Sequence, residues 1–220
     1  MAILASIATE SMEGADPAND SFHAELAIRI AESLCGREGS DFRVVKAALL
    51  IHNIVPRKRI DGHVTDYRSE SLQKGREVLL EAGFPPSLVP KILNCVEAAY
   101  FGNEGEATSI EAKVTHDANK LVTMGALAIA RTFTYGGYFK RPIFDPQRSL
   151  IHSRRDITQA LEAEYDPYAI DRDSISHFKT KLLRIKDTML TKTGQELAEQ
   201  RHEFMILFLN QFFDELDIDI

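Results

Sequence analysis

The chain has no tryptophan, only two cysteines among its 220 residues, and fewer basic side chains than acidic ones, 26 Lys and Arg against 33 Asp and Glu. Each shortage closes off a class of function. The net charge of -7 argues against tracking a nucleic acid backbone, which needs clustered Lys and Arg. Docking on an anionic membrane surface is disfavoured for the same reason. No apolar run approaches the roughly 18 residues that cross a bilayer. The first twenty residues carry Glu10, Glu13, Asp16 and Asp20 where a secretory leader would be basic and then apolar. A cytoplasmic protein is expected. Cys35 and Cys95 are too few for a cysteine-rich zinc site and sit in apolar surroundings, which predicts buried free thiols. Glycine and proline are sparse, 12 and 8, while 44% of residues are hydrophobic and 27% charged. Such a balance belongs to a folded globular protein with a single core.

What is present is helical periodicity. His23, Leu26, Ala27, Ile30 and Leu34 fall on one helical face, behind a candidate N-cap at Asp20 and ending near Gly36. A second helix from Ser40 or Asp41 aligns Val45, Ala48, Leu49 and His52 on one stripe. Residues 56–63 read as a basic loop. A third helix stops at Gly83 ahead of Pro85 and Pro86, and a fourth carries Val89, Ile92, Leu93 and Val96. Thr108 with Glu111 predicts a capping box opening one long helix through Ala130, and Thr193 with Glu196 predicts another before a final helix. Tyr135 to Ser174 is the least periodic stretch and reads as a long loop with short helical turns, a candidate lid. The prediction is an all-α fold: one helical bundle with a long irregular loop before the C-terminal helices. In the last helix Leu197, Phe204, Met205, Phe208 and Phe212 form an apolar stripe that reads as core, or as a homodimer face if exposed.

Spacing alone makes His23 and His52 core histidines more readily than ligands. The wider pattern carries more. AALLIHNIVPRK, residues 47–58, resembles the signature of the HD-domain superfamily, in which such a helix ends in a His-Asp pair; here the pair is His52 and Asn53. NDSFHAELAIRIAESL, residues 19–34, is similar to that family's first ligand helix and sets His23 in the place of its first metal-binding histidine. SIEAKVTHDANKLVTMGALAIARTFTYGG, residues 109–137, resembles the segment holding the family's Asp-Ala-Asp pair, whose second aspartate is Asn119 here. The tail from His177 to Glu215 is also like that of a small, stand-alone HD phosphohydrolase branch. The resemblance implies an HD-like domain over 19–215 after an N-terminal tail, 1–18. It also implies a metal set at His23, His52, Asn53 and Asn119.

The departures alter the expected chemistry. The family's two imidazoles and two carboxylates suit a divalent cation that activates water and polarises a phosphoryl oxygen. Two amides in place of two carboxylates remove two negative charges, each worth several kcal/mol of gross attraction to a cation, and bring NH2 groups that must be paired elsewhere. Asn19 and the run Val55-Pro56-Arg57 depart from the family as well, which argues for natural divergence over the alternative, an engineered loss of the two carboxylates. The polar groups left near the site by motif position are His116, Asp117, Lys58 and Arg131. Lys58 could hold an anion as a point charge. His116 shares a face with Asn119, and Asp117 does not. Arg131 suits an internal ion pair.

Three functions stay open. The first is a metal-free enzyme acting on a small organic molecule, with His23, His52, His116 and Lys58 as catalytic groups and Asn53, Asn119, Asp117 and Arg131 binding substrate; no cofactor is expected in that case. The second is a phosphohydrolase of a nucleotide or small phosphate ester, using Mn, Fe, Zn or Mg with Asp117 or His116 as replacement ligand. The third is a non-catalytic module binding a small-molecule ligand or a second copy of the chain. None involves a nucleic acid polymer or a membrane.

Overall fold

A computed structural model describes residues 1–11, 21–55, 59–60, 63–64, 67–100, 102–162 and 171–216. It is all-α apart from a two-residue antiparallel ladder. Two compact units emerge: Met1–Lys120 with Leu190–Gly194, and Leu121–Met189 with Gln195–Ile220. No helix among the described residues is long and apolar enough to cross a membrane.

The first unit is built on α3 (Phe42–Ile51), which packs against α2 (Ser21–Glu38) and α5 (Val89–Ala98). The Asp41 carboxylate caps α3 by accepting from the Arg43 N–H at 2.8 Å, satisfying one of the donors that a helix start leaves open. Every α3 residue from Ala47 to Ile51 is buried, so the helix serves as the central strut of the core. α2 runs past Gly36 to Glu38 and turns at Gly39 (φ 73°). Both Gly39 N–H and Ser40 N–H return to the Cys35 carbonyl there, a closure that needs the left-handed residue glycine supplies. α4 (Tyr67–Glu81) stops ahead of Gly83 as the sequence predicts, and packs on α5. Within the segment expected to be a tail, α1 (Ala2–Ser11) is helical, buries Leu4 and Ala8, and packs on α3 and α4. The stretch expected to be loop contains strands β1 (Arg59–Ile60) and β2 (His63–Val64). Cys35 and Cys95 are buried free thiols, and burial pushes the Cys95 thiol up to about 11.

The long helix expected from Thr108 to Ala130 is two helices, α6 (Ile110–Leu121) and α7 (Gly125–Tyr138). The break has a visible cause within the second unit. Gly125 has φ 70°, and a Cβ there would meet the Arg201 side chain at 3.2 Å. The carbonyls released at the break are taken up by guanidinium groups, Arg201 bonding Leu121 O and Arg131 bonding Val122 O at 3.4 Å. Both predicted capping boxes also move. Ser109, not Thr108, accepts from Ala112 N–H at 3.1 Å, while Thr108 Oγ1 donates to Asn94 and Glu111 pairs with Lys91 at 2.9 Å. Thr191, not Thr193, accepts from Gly194 N–H at the start of α10 (Lys192–Leu216), and Thr193 N–H bonds Glu38 instead.

In the second unit the irregular stretch is interrupted by α8 (Arg154–Glu162) and followed by α9 (Ser176–Thr180) and a 3-10 turn, Leu182–Thr188. The seam that α10 buries is Ala198, His202, Met205, Leu209 and Phe213; it keeps Met205 of the predicted stripe and otherwise lies one position further on. Phe204 is 47% exposed and Leu207 63%, while Phe208 stacks on Phe178 with centroids 5.8 Å apart. The stretch before α9 is pinned by Asp171, whose Oδ2 accepts from Arg141 and from His177 Nδ1, each at 2.9 Å, and whose Oδ1 accepts from Thr180 at 2.5 Å. Burial alone would raise this carboxyl, but its bonds to His177 and Thr180 and the Arg141 charge outweigh that and hold it at about 2.

A carboxyl whose folded pKa lies below its unfolded value stabilises the fold above the unfolded pKa and loses that contribution as pH falls toward the folded one. Asp171→Asn should therefore cost about 2 kcal/mol at pH 7, with the gap to wild type narrowing from pH 4 downward toward pH 2. Urea unfolding of both proteins at pH 7 and pH 3 checks this; a gap independent of pH would show that charge plays no part.

Candidate functional site

The residues singled out by the HD resemblance converge in the first unit. α2 brings His23, the end of α3 brings His52 and Asn53, and α6 brings His116, Asn119 and Lys120. The His23 and His52 rings lie 5.6 Å apart between centroids at 47°, both almost wholly buried at 4% and 2% exposure. Asn53 and Asn119 are half-buried.

Bond partners fix the proton positions. His52 Nδ1 lies 2.7 Å from the Leu49 carbonyl, so that nitrogen carries the hydrogen and, in the neutral ring, Nε2 is the acceptor. Asn53 Nδ2 donates to this Nε2 at 2.9 Å. At the second amide, Asn119 Nδ2 donates to Ala99 O at 3.0 Å, which turns its Oδ1 toward His23. His23 Nε2 is 3.1 Å from that oxygen and must donate. The two histidines thus present opposite faces at Nε2, an acceptor in His52 and a donor in His23. No formal charge is required anywhere in the four-residue set.

This geometry tests the divalent cation that the resemblance implies. A cation needs both imidazole lone pairs and offsetting negative charge. Here the Nε2 lone pair of His52 is covered by an amide NH2, the Nε2 of His23 carries a proton, and the other two members are uncharged amides. The donor set does not fit a divalent cation as it stands. Among the described residues, no group of three or more His, Cys, Asp or Glu side chains is arranged to hold one.

Both neighbours weighed as replacement ligands are held by backbone groups. His116 is fully buried and donates from Nδ1 to Ala98 O at 2.8 Å. Asp117, expected among the substrate-binding groups, is fully buried and held by Leu190 N–H at 2.9 Å, Thr191 N–H at 2.8 Å and Thr191 Oγ1 at 2.6 Å. Burial pushes its carboxyl up to about 6 despite those bonds. Lys58 lies outside the described residues. Arg131 belongs to the second unit, where it bonds Val122 O.

Sequence reading missed two contributors. Lys120 is only 5% exposed and donates to Ala99 O at 3.1 Å, the carbonyl that Asn119 also uses. Tyr100, 3% exposed, donates from its hydroxyl to the His52 carbonyl at 3.1 Å, with the Arg68 guanidinium over its ring at 5.2 Å. The one available signal was the helical spacing of 116, 119 and 120, which puts all three on one face of α6.

No family model matches the chain. The Bacillus subtilis (strain 168) protein YpgQ is 30% identical over 210 residues, covering 94% of this chain and 86% of YpgQ. Among solved structures, an HD-superfamily hydrolase from Bacillus thuringiensis superposes with a TM-score of 0.70 at 26% identity, covering 98% of this chain and 96% of that one. YpgQ crystallised in complex with ADP superposes with a TM-score of 0.67 at 25% identity, covering 97% and 98%.

Asn119 serves two partners, so its removal is expected to cost more than a surface amide would. Asn119→Leu leaves a buried carbonyl with one donor fewer and a buried imidazole N–H without its acceptor, a loss of about 2–4 kcal/mol. Tyr100→Phe, which deletes one bond, should cost about 1 kcal/mol. Chemical denaturation of both variants reads these directly, and near-neutral Asn119→Leu would mean the network is not formed.

Proposed function

Because this chain belongs to the HD superfamily while carrying amides at two of its ligand positions, we propose that it is an enzyme acting on a small molecule without a divalent cation. The observation that carries the reading is the pair of opposed Nε2 atoms, an acceptor on His52 and a donor on His23, in rings 5.6 Å apart. One ring can take a proton while the other gives one, the division of labour that general acid-base catalysis uses near neutral pH. Asn53 and Asn119 hold the two rings in these roles, and each amide offers a donor and an acceptor that a substrate could exchange for its own groups. Tyr100, bonded to the His52 carbonyl, acts as a positioning residue for the end of α3.

A second reading has one finding in its favour, the ADP bound to YpgQ. It makes this chain a metal-dependent phosphohydrolase of a nucleotide or small phosphate ester, in which a bound cation would supply water activation. The two readings part on metal and on phosphate release.

Under the first reading the purified chain, offered Mn, Fe, Zn and Mg in turn, retains none near one equivalent after weakly bound ion is removed, and releases no phosphate from ADP. Asn53→Asp with Asn119→Asp restores both carboxylates, and this double variant should hold about one Mn per chain. Stoichiometric metal in the wild-type protein, with phosphate release that needs it, would replace the first reading by the second. Loss of ADP affinity in His23→Ala with His52→Ala would place the nucleotide at this site under either reading.

A further inference from the structure

A cavity of about 340 Å3 lies in the first unit where α1, α2 and α3 meet, and neither His23 nor His52 lines it. Its walls are apolar and small: Ala5 and Ala8 from α1, Ala24 and Ile28 from α2, and Leu50 from α3. Ala side chains are what leave the space, since a larger residue at any of these positions would fill it. Thr9 of α1 and three charges complete the lining, Glu25 and Arg29 on α2 and Lys46 on α3, a local balance of one positive charge.

Two features separate this space from a packing defect. Among the described residues neither Arg29 nor Lys46 forms a salt bridge; Lys46 is half-buried with its ammonium 5.8 Å above the Phe42 ring. Its volume is also in the range of small-molecule sites, which start at about 300 Å3. At about 30 Å3 for a water-sized group, it takes roughly a dozen non-hydrogen atoms, too few to enclose a nucleoside diphosphate.

We propose that this cavity is a second ligand site, for a medium-chain fatty acid whose carboxylate meets Arg29 and Lys46 and whose alkyl chain lies against Ala5, Ala8, Ala24, Ile28 and Leu50. Apolar walls favour a hydrocarbon, and two cations outside any salt bridge, against the single carboxylate of Glu25, favour an anionic head. The site shares helices α2 and α3 with the histidine pair but none of its side chains. The assignment is therefore independent of whatever reaction occurs there.

Titration calorimetry of the full chain with hexanoate, octanoate, decanoate and decanol, kept below their micellar concentrations, tests it. Each buried methylene should tighten binding about fourfold, so affinity should climb from hexanoate to decanoate. Decanol, lacking the charge, should bind at least about tenfold more weakly than decanoate, and Arg29→Gln with Lys46→Gln should weaken decanoate by a similar factor. Both substitutions sit at exposed or half-buried positions, so this variant keeps the core intact. Ala5→Phe, with folding checked by circular dichroism, should abolish binding by occupying the space. No saturable binding of any acid, equal affinity for decanol, or an unaffected charge variant each overturns the proposal. So does loss of decanoate binding in His23→Ala with His52→Ala, with folding checked by circular dichroism, which would put the acid in the histidine site. Metal content and phosphate release, which decide the histidine chemistry, do not enter these readouts.

Discussion

The constraint on which the rest of the first unit depends is the buried end of α5. A helix leaves its last carbonyls without partners, and those of Ala98 and Ala99 emerge where both residues are essentially inaccessible to solvent. An unpaired buried acceptor costs about 1–3 kcal/mol. α6 supplies the donors from one face: His116 to Ala98 O, and Asn119 and Lys120 both to Ala99 O. The buried Lys120 ammonium is well placed for this, since a cation at a helix C-terminus meets the negative end of the macrodipole. Asn119 then passes the constraint onward, because an amide with its nitrogen committed to Ala99 has only its oxygen left for His23. One carbonyl thus orients a side chain on α6, which in turn fixes a ring on α2.

The same inventory of donors explains what an amide does at each position that a carboxylate would not. An aspartate at 119 could not donate to Ala99 O, so its oxygens would be free to face a cation. An aspartate at 53 would set negative charge against the lone pair of His52 Nε2, an arrangement stable only with a proton or a metal ion between them. Asparagine donates where aspartate can only accept. With amides at both positions the set forms two neutral pairs, His23 with Asn119 and His52 with Asn53.

How far the sequence revealed this depended on how local the determining contacts were. α3 was legible because Asp41 caps it and its buried face repeats at helical spacing, and α4 because Gly83 follows its end. The helix break at 122–124 was not, since KLVTMGALAIA keeps an apolar helical pattern straight through it; its cause is Arg201, far along the chain, lying against Gly125. Both capping boxes failed for a related reason. The residues that looked like caps, Thr108 and Thr193, are drawn off by Asn94 and Glu38, and neighbouring hydroxyls take their place. Asp117 illustrates the limit within the site itself. Its motif position suggested a ligand-facing carboxylate, but its partners are at Leu190 and Thr191, more than seventy residues on. The histidines and asparagines could be gathered from a family resemblance, whereas the direction of each proton could be read only from partners on other helices.

Those proton directions bear on what the site can accept. A ligand that displaced the two amides would meet an N–H from His23 and a lone pair from His52. A hydroxyl or an amide, which both donates and accepts, matches that pair without any change of protonation. A phosphate monoester dianion, which has no O–H, does not: its oxygens can accept from the His23 N–H but face the His52 lone pair, so that contact requires His52 to be protonated. Protonation would leave His52 Nε2 as a donor pointed at the NH2 of Asn53, forcing that amide to turn over and present its oxygen. The neutral network is thus biased toward a ligand with mixed donor and acceptor character.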